Sequence, residues 1–263
     1  MVRVRKLVVC AALAAACAAC SGSDSSKSAE PSSPAAAPDA KKVDTATAAT
    51  VTGKVLIEGT PPANPVLKMA SDPTCSNANS GEVHAESYVV DNGALQNVFV
   101  WIKDGLGNKY LFDTPTEPVK LDQKNCHYVP HVLGIRVTQP LEIGNSDNTM
   151  HNVHGMPETN REFNFGQPVP GMKQSVTFTA PEVMIPFKCD VHAWMNAYIG
   201  VVNHPYFAVT GSGGKFELKT IPPGTYTIEA WHEKLGRQQQ SITLGEKESK
   251  DITFTFKVPA GTD

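Results

Sequence analysis

From Val51 onward the chain is written in short runs of Val, Ile, Thr, Tyr and Phe: "TGKVLIEG", "NVFVWIKDG", "HVLGIRV", "QPLEIGN", "KQSVTFTA", "AYIGVVN", "GKFELK", "TYTIEAWHE", "DITFTFKV". Several of them alternate apolar with polar, as a strand with one buried face must. Between them stand Asp91-Asn92-Gly93, Gly211-Ser212-Gly213-Gly214 and Pro222-Pro223-Gly224, which supply the backbone conformations of tight turns. No stretch carries a convincing 3.6-residue apolar period. Many short strands with turns at regular spacing predict an all-β fold of sandwich or barrel type.

The first fifty residues are of a different kind. Arg3, Arg5 and Lys6 precede an apolar, alanine-rich run from Leu7 to Ala19. That run is too short to span a bilayer as a helix and reads as an export signal over 1–20. It ends in "LAAACAACSGSD", where small residues stand directly before Cys17 and Cys20. This pattern resembles the bacterial lipobox, in which the cysteine becomes the lipidated N-terminus, and either residue fits it. Residues 21–50 are rich in Ser, Ala, Pro and Lys without aromatics, and are expected to form a disordered tether. The expected location is therefore outside the cytoplasm, periplasmic or at the cell surface, with the membrane reached through a lipid.

The formal charge of −3 includes the three cations of the signal, so the processed chain carries −6. With no basic stripe, nucleic acid is not an expected partner. Three cysteines remain beyond the signal: Cys75, Cys126 and Cys189. An odd count in an exported protein suggests one disulfide and one thiol with another task. Cys75 and Cys126, each beside a polar loop, are the candidate pair. The rival reading gives "CHYVPH" a ligand role.

The third thiol lies in "FKCDVHAWM", where Cys189, His192 and Met195 follow one another at intervals of three. Thiolate, imidazole and thioether are the soft ligands of copper. Zinc prefers four firm N, S or O donors, and a thioether replaces one poorly. The loop has no second cysteine, which disfavours a binuclear centre with bridging thiolates. The flanks "VMIPF" and "AYIGVV" read as strands that clamp the loop at both ends.

Upstream, "YVPHVLGIRVTQPLEIGNSDNTMHNVHG" resembles the opening of a cupredoxin of the amicyanin and plastocyanin type, through Tyr128, Pro130, Asn145, Asp147, His151, Asn152 and Val153. The resemblance implies a Greek-key β-sandwich over 113–204 holding one mononuclear type 1 copper. Its ligands would be His151, Cys189, His192 and Met195. Asn152 would tie the two ligand loops together. His192 would break the surface in an apolar patch where partners dock. Trp194, between His192 and Met195, would shield the metal, offer a flat docking surface or simply pack.

A second resemblance covers the flanks. "FAVTGSGGKFELKTIPPGTYTIEAWHEKLG" is similar to the second half of a carboxypeptidase regulatory-like, transthyretin-like β-domain, through Thr210, Gly214, Phe216, Leu218, Pro223, Gly224 and Tyr226. The first half of that pattern matches "TGKVLIEG" and "NVFVWI". A sandwich split into 51–112 and 205–258, with the cupredoxin-like segment inserted in it, is the simplest arrangement. Two sandwiches side by side is the alternative.

The function these features imply is a membrane-tethered carrier of single electrons, docking transiently with membrane-associated or soluble redox proteins near His192. Copper delivery, storage or resistance is the alternative class. No nucleophile motif, phosphate loop or clear carboxylate pair points to an enzyme. His154 is expected at the surface, and a second metal site built from His127, His131, His204 or His232 stays open.

Overall fold

The computed structural model describes residues 37–259. The export signal, Cys17, Cys20 and the first part of the tether lie outside the described residues. The described chain is all-β apart from short helical turns, as the alternating runs require. Strands β1 (Ala49–Glu58), β2 (Val90–Asp91), β3 (Ala94–Leu95) and β4 (Phe99–Asp104) come first, with one short helix, α1 (Pro73–Ala78), between β1 and β2. A middle group comes next: β5 (Val119–Lys124), β6 (His127–Val129), β7 (Val132–Arg136), β8 (Leu141–Asn145), β9 (His151–Gly155), β10 (Phe163–Gln167), β11 (Lys173–Val176), β12 (Glu182–Lys188) and β13 (Asn196–Val202). The last group is β14 (Phe207–Val209), β15 (Lys215–Ile221), β16 (Gly224–His232), β17 (Gly236–Leu244) and β18 (Ser249–Lys257).

The first and last groups interleave. β1 runs antiparallel to β15 and β3 and parallel to β18, while β4 lies between β14 and β16, with β17 beyond. Val51, Val55, Val100, Ile102, Leu218, Ile228 and Phe254 meet in the core of these two sheets. The middle group forms two further sheets, β10-β9-β12-β13-β7 and β11-β8-β5-β6. Leu121, Tyr128, Ile135, Ile143, Phe187 and Ile199 fill the second core. Burying each such side chain stabilises the fold by about 1.5–3 kcal/mol, which sets the register of every strand that carries one.

The two cores touch through Phe99, Val132 and Val202, with Phe207 and Trp231 packed against them. The approach is close because two strands present glycine there. A Cβ on Gly134 of β7 would lie 2.3 Å from the Phe207 ring, and one on Gly200 of β13 would lie 2.4 Å from Phe99.

Two expectations are corrected. The tether does not run to residue 50. From Ala37 the chain lies along the fold, with Lys41 bridged to Tyr110, and β1 begins at Ala49, which is buried. The scarcity of large apolar side chains in 37–48, where Val43 stands among alanines and polar residues, concealed this, because the segment is held by backbone hydrogen bonds and not by side-chain burial. Nor does all of 51–112 belong to the core of β1 and β4. Met69 and Cys75, in the segment between β1 and β2 that contains α1, are buried in the other core.

Candidate metal centre

The loop Cys189–Met195 joins β12 to β13, which pair antiparallel from Glu182–Val201 to Lys188–Asn196. It is short because it closes on itself. The Cys189 N–H donates to the Met195 carbonyl at 3.1 Å, and the Met195 N–H donates to the His192 carbonyl at 2.9 Å. His151 opens β9, whose end pairs with β12 through His154 and Lys188. The clamp anticipated around the ligand loop is therefore a continuous sheet.

Tyr128 and Asn152 hold the two ligand strands together. The Tyr128 hydroxyl donates to the carbonyls of Asn152 at 2.7 Å and Lys188 at 3.1 Å. The Asn152 side-chain oxygen accepts the Asp190 N–H at 3.1 Å, and the Asn152 N–H points at the Cys189 sulfur at 3.4 Å.

The result is a buried group of three donors. The Cys189 sulfur and one ring nitrogen each of His151 and His192 lie within 4.8 Å of one another. Cys189, His151 and His192 are all buried, and Met195 is buried in the same core. Cys189 is a free thiol. Burial pushes its pKa up, but hydrogen bonds from His151, Asn152 and His192 outweigh that and lower it, favouring the thiolate that metals bind.

The two imidazoles are set with unusual definition. His151 directs Nε2 at Asp147 Oδ2, 2.8 Å away, and His192 directs Nε2 at Asp72 Oδ2, 3.0 Å away. An ionised carboxylate only accepts, so each Nε2 carries the hydrogen and each Nδ1 turns a lone pair inward. The two Nδ1 atoms are 3.0 Å apart. Two lone pairs at that separation repel unless a positive charge lies between them. A proton is one solution. Burial lowers the basicity of His151, yet Asp147 and Cys189 raise its pKa to about 9. His192 moves the other way, through burial first and the neighbouring His151 charge, against the pull of Asp72. A metal cation is the other solution, and one thiolate with two inward imidazoles is a donor set that fits copper.

The carboxylates are equally fixed. Burial opposes ionisation of Asp72, but hydrogen bonds from Thr149, His192, Thr74 and Cys75 bring its pKa down to about 2. Asp147 is lowered against burial by His151 and by the backbone N–H groups of Cys126 and Asn125.

His192 does not break the surface. It is 2% exposed. The α1 segment covers it, with Asp72 on Nε2 and the Cys75 sulfur 3.7 Å from the same nitrogen. Cys75 is bonded to Cys126, so "CHYVPH" lends its sulfur to a disulfide. Trp194 completes the cover, its ring 5.0 Å from that of His192 and its N–H donating to the Cys126 carbonyl at 3.1 Å.

The remaining histidines have other partners. His154, expected at the surface, is instead largely covered and faces Asp190 and Glu162. His131 meets Glu233 at 2.6 Å, His127 turns to the Asn125 carbonyl, and His204 stacks on Trp101 and Tyr206. His232 accepts the backbone N–H groups of Lys234 and Leu235. Among the described residues, no group of three donors includes any of these five.

Asp72 was missed in the sequence although "SDPTC" carries a helix-start signal, an N-cap aspartate followed by proline. α1 has six residues, too few to show a period. Asp147 stood in a recognised motif without a role.

No family model and no curated protein matches this chain. Solved structures do. A Cu-containing nitrite reductase from Thermus scotoductus SA-01 is similar at 24% identity over 36% of this chain, with a TM-score of 0.28, and the match spans 24% of the reductase. An oxidised amicyanin variant matches at 20% identity over 32% of this chain and 80% of its own, with a TM-score of 0.29. A purple cupredoxin from Nitrosopumilus maritimus matches at 18% identity over 31% of this chain and 97% of its own, with a TM-score of 0.26.

Proposed function

We propose that the chain holds one copper ion at His151, Cys189, His192 and Met195 and serves as a carrier of single electrons. The observation that carries this reading is the inward-facing pair of imidazole nitrogens beside a buried thiol. Copper bound there would supply a one-electron change between its two common charges. The residues do the rest. Cys189 provides the thiolate, His151 and His192 neutral imidazoles, and Met195 a weak thioether that tunes potential more than affinity. Burial of all four leaves no open position for a substrate, which favours a carrier over a catalyst. The covered His192 favours retention of the metal over its delivery.

On this reading, 113–204 is a cupredoxin-like module seated in a split regulatory-like sandwich. The chain would be exported and held to a membrane by lipid on Cys17 or Cys20, which raises its local concentration near membrane partners. Redox partners would dock over the cover near His192, where the Trp194 ring stands 5.0 Å from the imidazole.

The visible absorption spectrum of the copper-loaded protein is the test. A thiolate–Cu(II) bond gives an intense charge-transfer band, and Cys189→Ser should abolish it because the serine oxygen has no such transition. A band that survives Cys189→Ser, or a protein that takes up zinc and no copper, would overturn the reading.

A further inference from the structure

Each inward-facing histidine is backed by a carboxylate, and each carboxylate is held beside one half of the same disulfide. Asp72 accepts the His192 Nε2–H on Oδ2, while its Oδ1 accepts the backbone N–H groups of Thr74 at 2.7 Å and Cys75 at 3.3 Å. Asp147 accepts the His151 Nε2–H and the Cys126 N–H on Oδ2, each at 2.8 Å, and the Asn125 N–H on Oδ1 at 2.6 Å. Cys75 and Cys126 are bonded to each other. A continuous ring of contacts therefore runs His192–Asp72–Cys75–Cys126–Asp147–His151, and it closes where the two Nδ1 atoms stand 3.0 Å apart.

We propose that Asp72 and Asp147 are the positioning residues of the two histidines, and that the Cys75–Cys126 disulfide locks both carboxylates into one brace. The brace fixes each imidazole with Nδ1 inward and closes the His192 side to solvent. This deepens the copper reading in what it says of metal retention. The orientation of the imidazoles stands on hydrogen bonds within the chain.

The disulfide is needed because α1 cannot hold itself. A helix of six residues is far below the length that is stable alone. Apart from the disulfide, Thr149 Oγ1 donating to Asp72 Oδ2 at 2.8 Å and Asn79 Nδ2 donating to the Asn125 carbonyl at 3.0 Å tie this segment down beside the site. Asp72 stands 120 positions before the ring it orients. Partners of this kind on the outer nitrogen fix the tautomer and direction of a ligand imidazole, and losing one typically costs about 10- to 100-fold in metal affinity.

Asp72→Asn is the sharpest probe. Asparagine is as good an N-cap as aspartate, so α1 keeps its start. With its oxygen on Thr74 and Cys75, the amide group faces His192 as a donor. The His192 hydrogen must then leave Nε2 for Nδ1, into the metal position. Nitrogen-15 NMR of histidine-labelled full-length protein, metal-free and Cu(I)-loaded, reads this directly.

In the wild type, both His151 and His192 should show an Nε2–H resonance in slow exchange with water. Metal-free Asp72→Asn should lose that resonance for His192 alone, Asp147→Asn for His151 alone, and Cys75→Ser/Cys126→Ser should speed exchange of both. Copper loss to excess chelator should quicken by about 10- to 100-fold in each variant. Asp72→Glu, which returns a carboxylate, should recover part of the protection.

Unchanged Nε2–H signals in Asp72→Asn and Asp147→Asn would overturn the proposal. Those two variants decide it alone if the double cysteine variant does not fold. A wild type with the expected Nε2–H pattern but no affinity for copper would refute the copper reading and leave the brace standing. A blue protein whose Nε2–H signals ignore the carboxylates would do the reverse.

Discussion

At the scale of single residues, the centre competes with protons for its own lone pairs. Against the effect of burial, Asp147 and Cys189 raise the His151 pKa from the ordinary 6.5 to about 9. A metal must displace the proton held there. Apparent copper affinity should therefore fall as pH drops below about 9, by up to about tenfold per unit for each proton displaced. Competition against a chelator of known pH behaviour measures this, and a flat profile from about 6.5 to 9 would contradict it. The same proton stabilises the metal-free fold below about 6.5, and that contribution is lost as pH rises through about 9. The inner donors were legible in the sequence because thiol, imidazole and thioether at intervals of three have few other uses together. Their carboxylate partners were not. Asp72 is contributed by the loop after β1 and Asp147 by the loop before β9, and nothing local to either residue announces the ring it faces.

At the scale of elements, β16 carries a buried charge that ties three strands. Glu229 is fully buried and accepts Lys103 Nζ of β4 at 2.8 Å, Gln239 Nε2 of β17 at 2.7 Å, and Arg237 of β17. Burial raises its pKa, but these partners more than offset that and hold it below the usual value of 4.5. Such a lowered carboxyl stabilises the fold above its unfolded pKa and loses the contribution as pH falls. Glu229→Gln should cost about 1–3 kcal/mol near neutral pH, since Lys103 and Arg237 are partly exposed and can return to water. The difference from wild type, read from urea denaturation, should shrink below about pH 4.5. A difference that is constant with pH would place the cost in packing instead. Strands such as β1 and β18 were readable from alternation, because burial on one face imposes it directly. α1 was not, since it is held by a cap and a disulfide and needs no apolar face of its own.

At the scale of the whole molecule, two cores meet where glycine replaces a side chain. Gly200→Ala would drive a Cβ to 2.4 Å from the Phe99 ring, which lies in the junction between cores. Overpacking of this kind typically costs about 1–3 kcal/mol. The melting temperature should fall while the visible band proposed for the copper form, which rests on His151 of β9 and on the loop before β13, keeps its position. A shifted band would show that the junction and the centre are mechanically coupled. The order of pairing has a further consequence for a chain that emerges from its N-terminus. β1 has its parallel partner in β18, the last strand, and registers with it along its whole length from Thr50 opposite Ser249 to Glu58 opposite Lys257. Among the described residues, strands β5 to β13 pair only among themselves. If the chain is exported as proposed, the sheets that carry the candidate ligands, and the segment that covers them, would all have left the export channel while the outer sandwich still lacks its closing strand. Maturation of the centre could run ahead of completion of its host, and a chain truncated before β18 would carry the centre beside an outer sandwich whose β1 lacks its parallel partner.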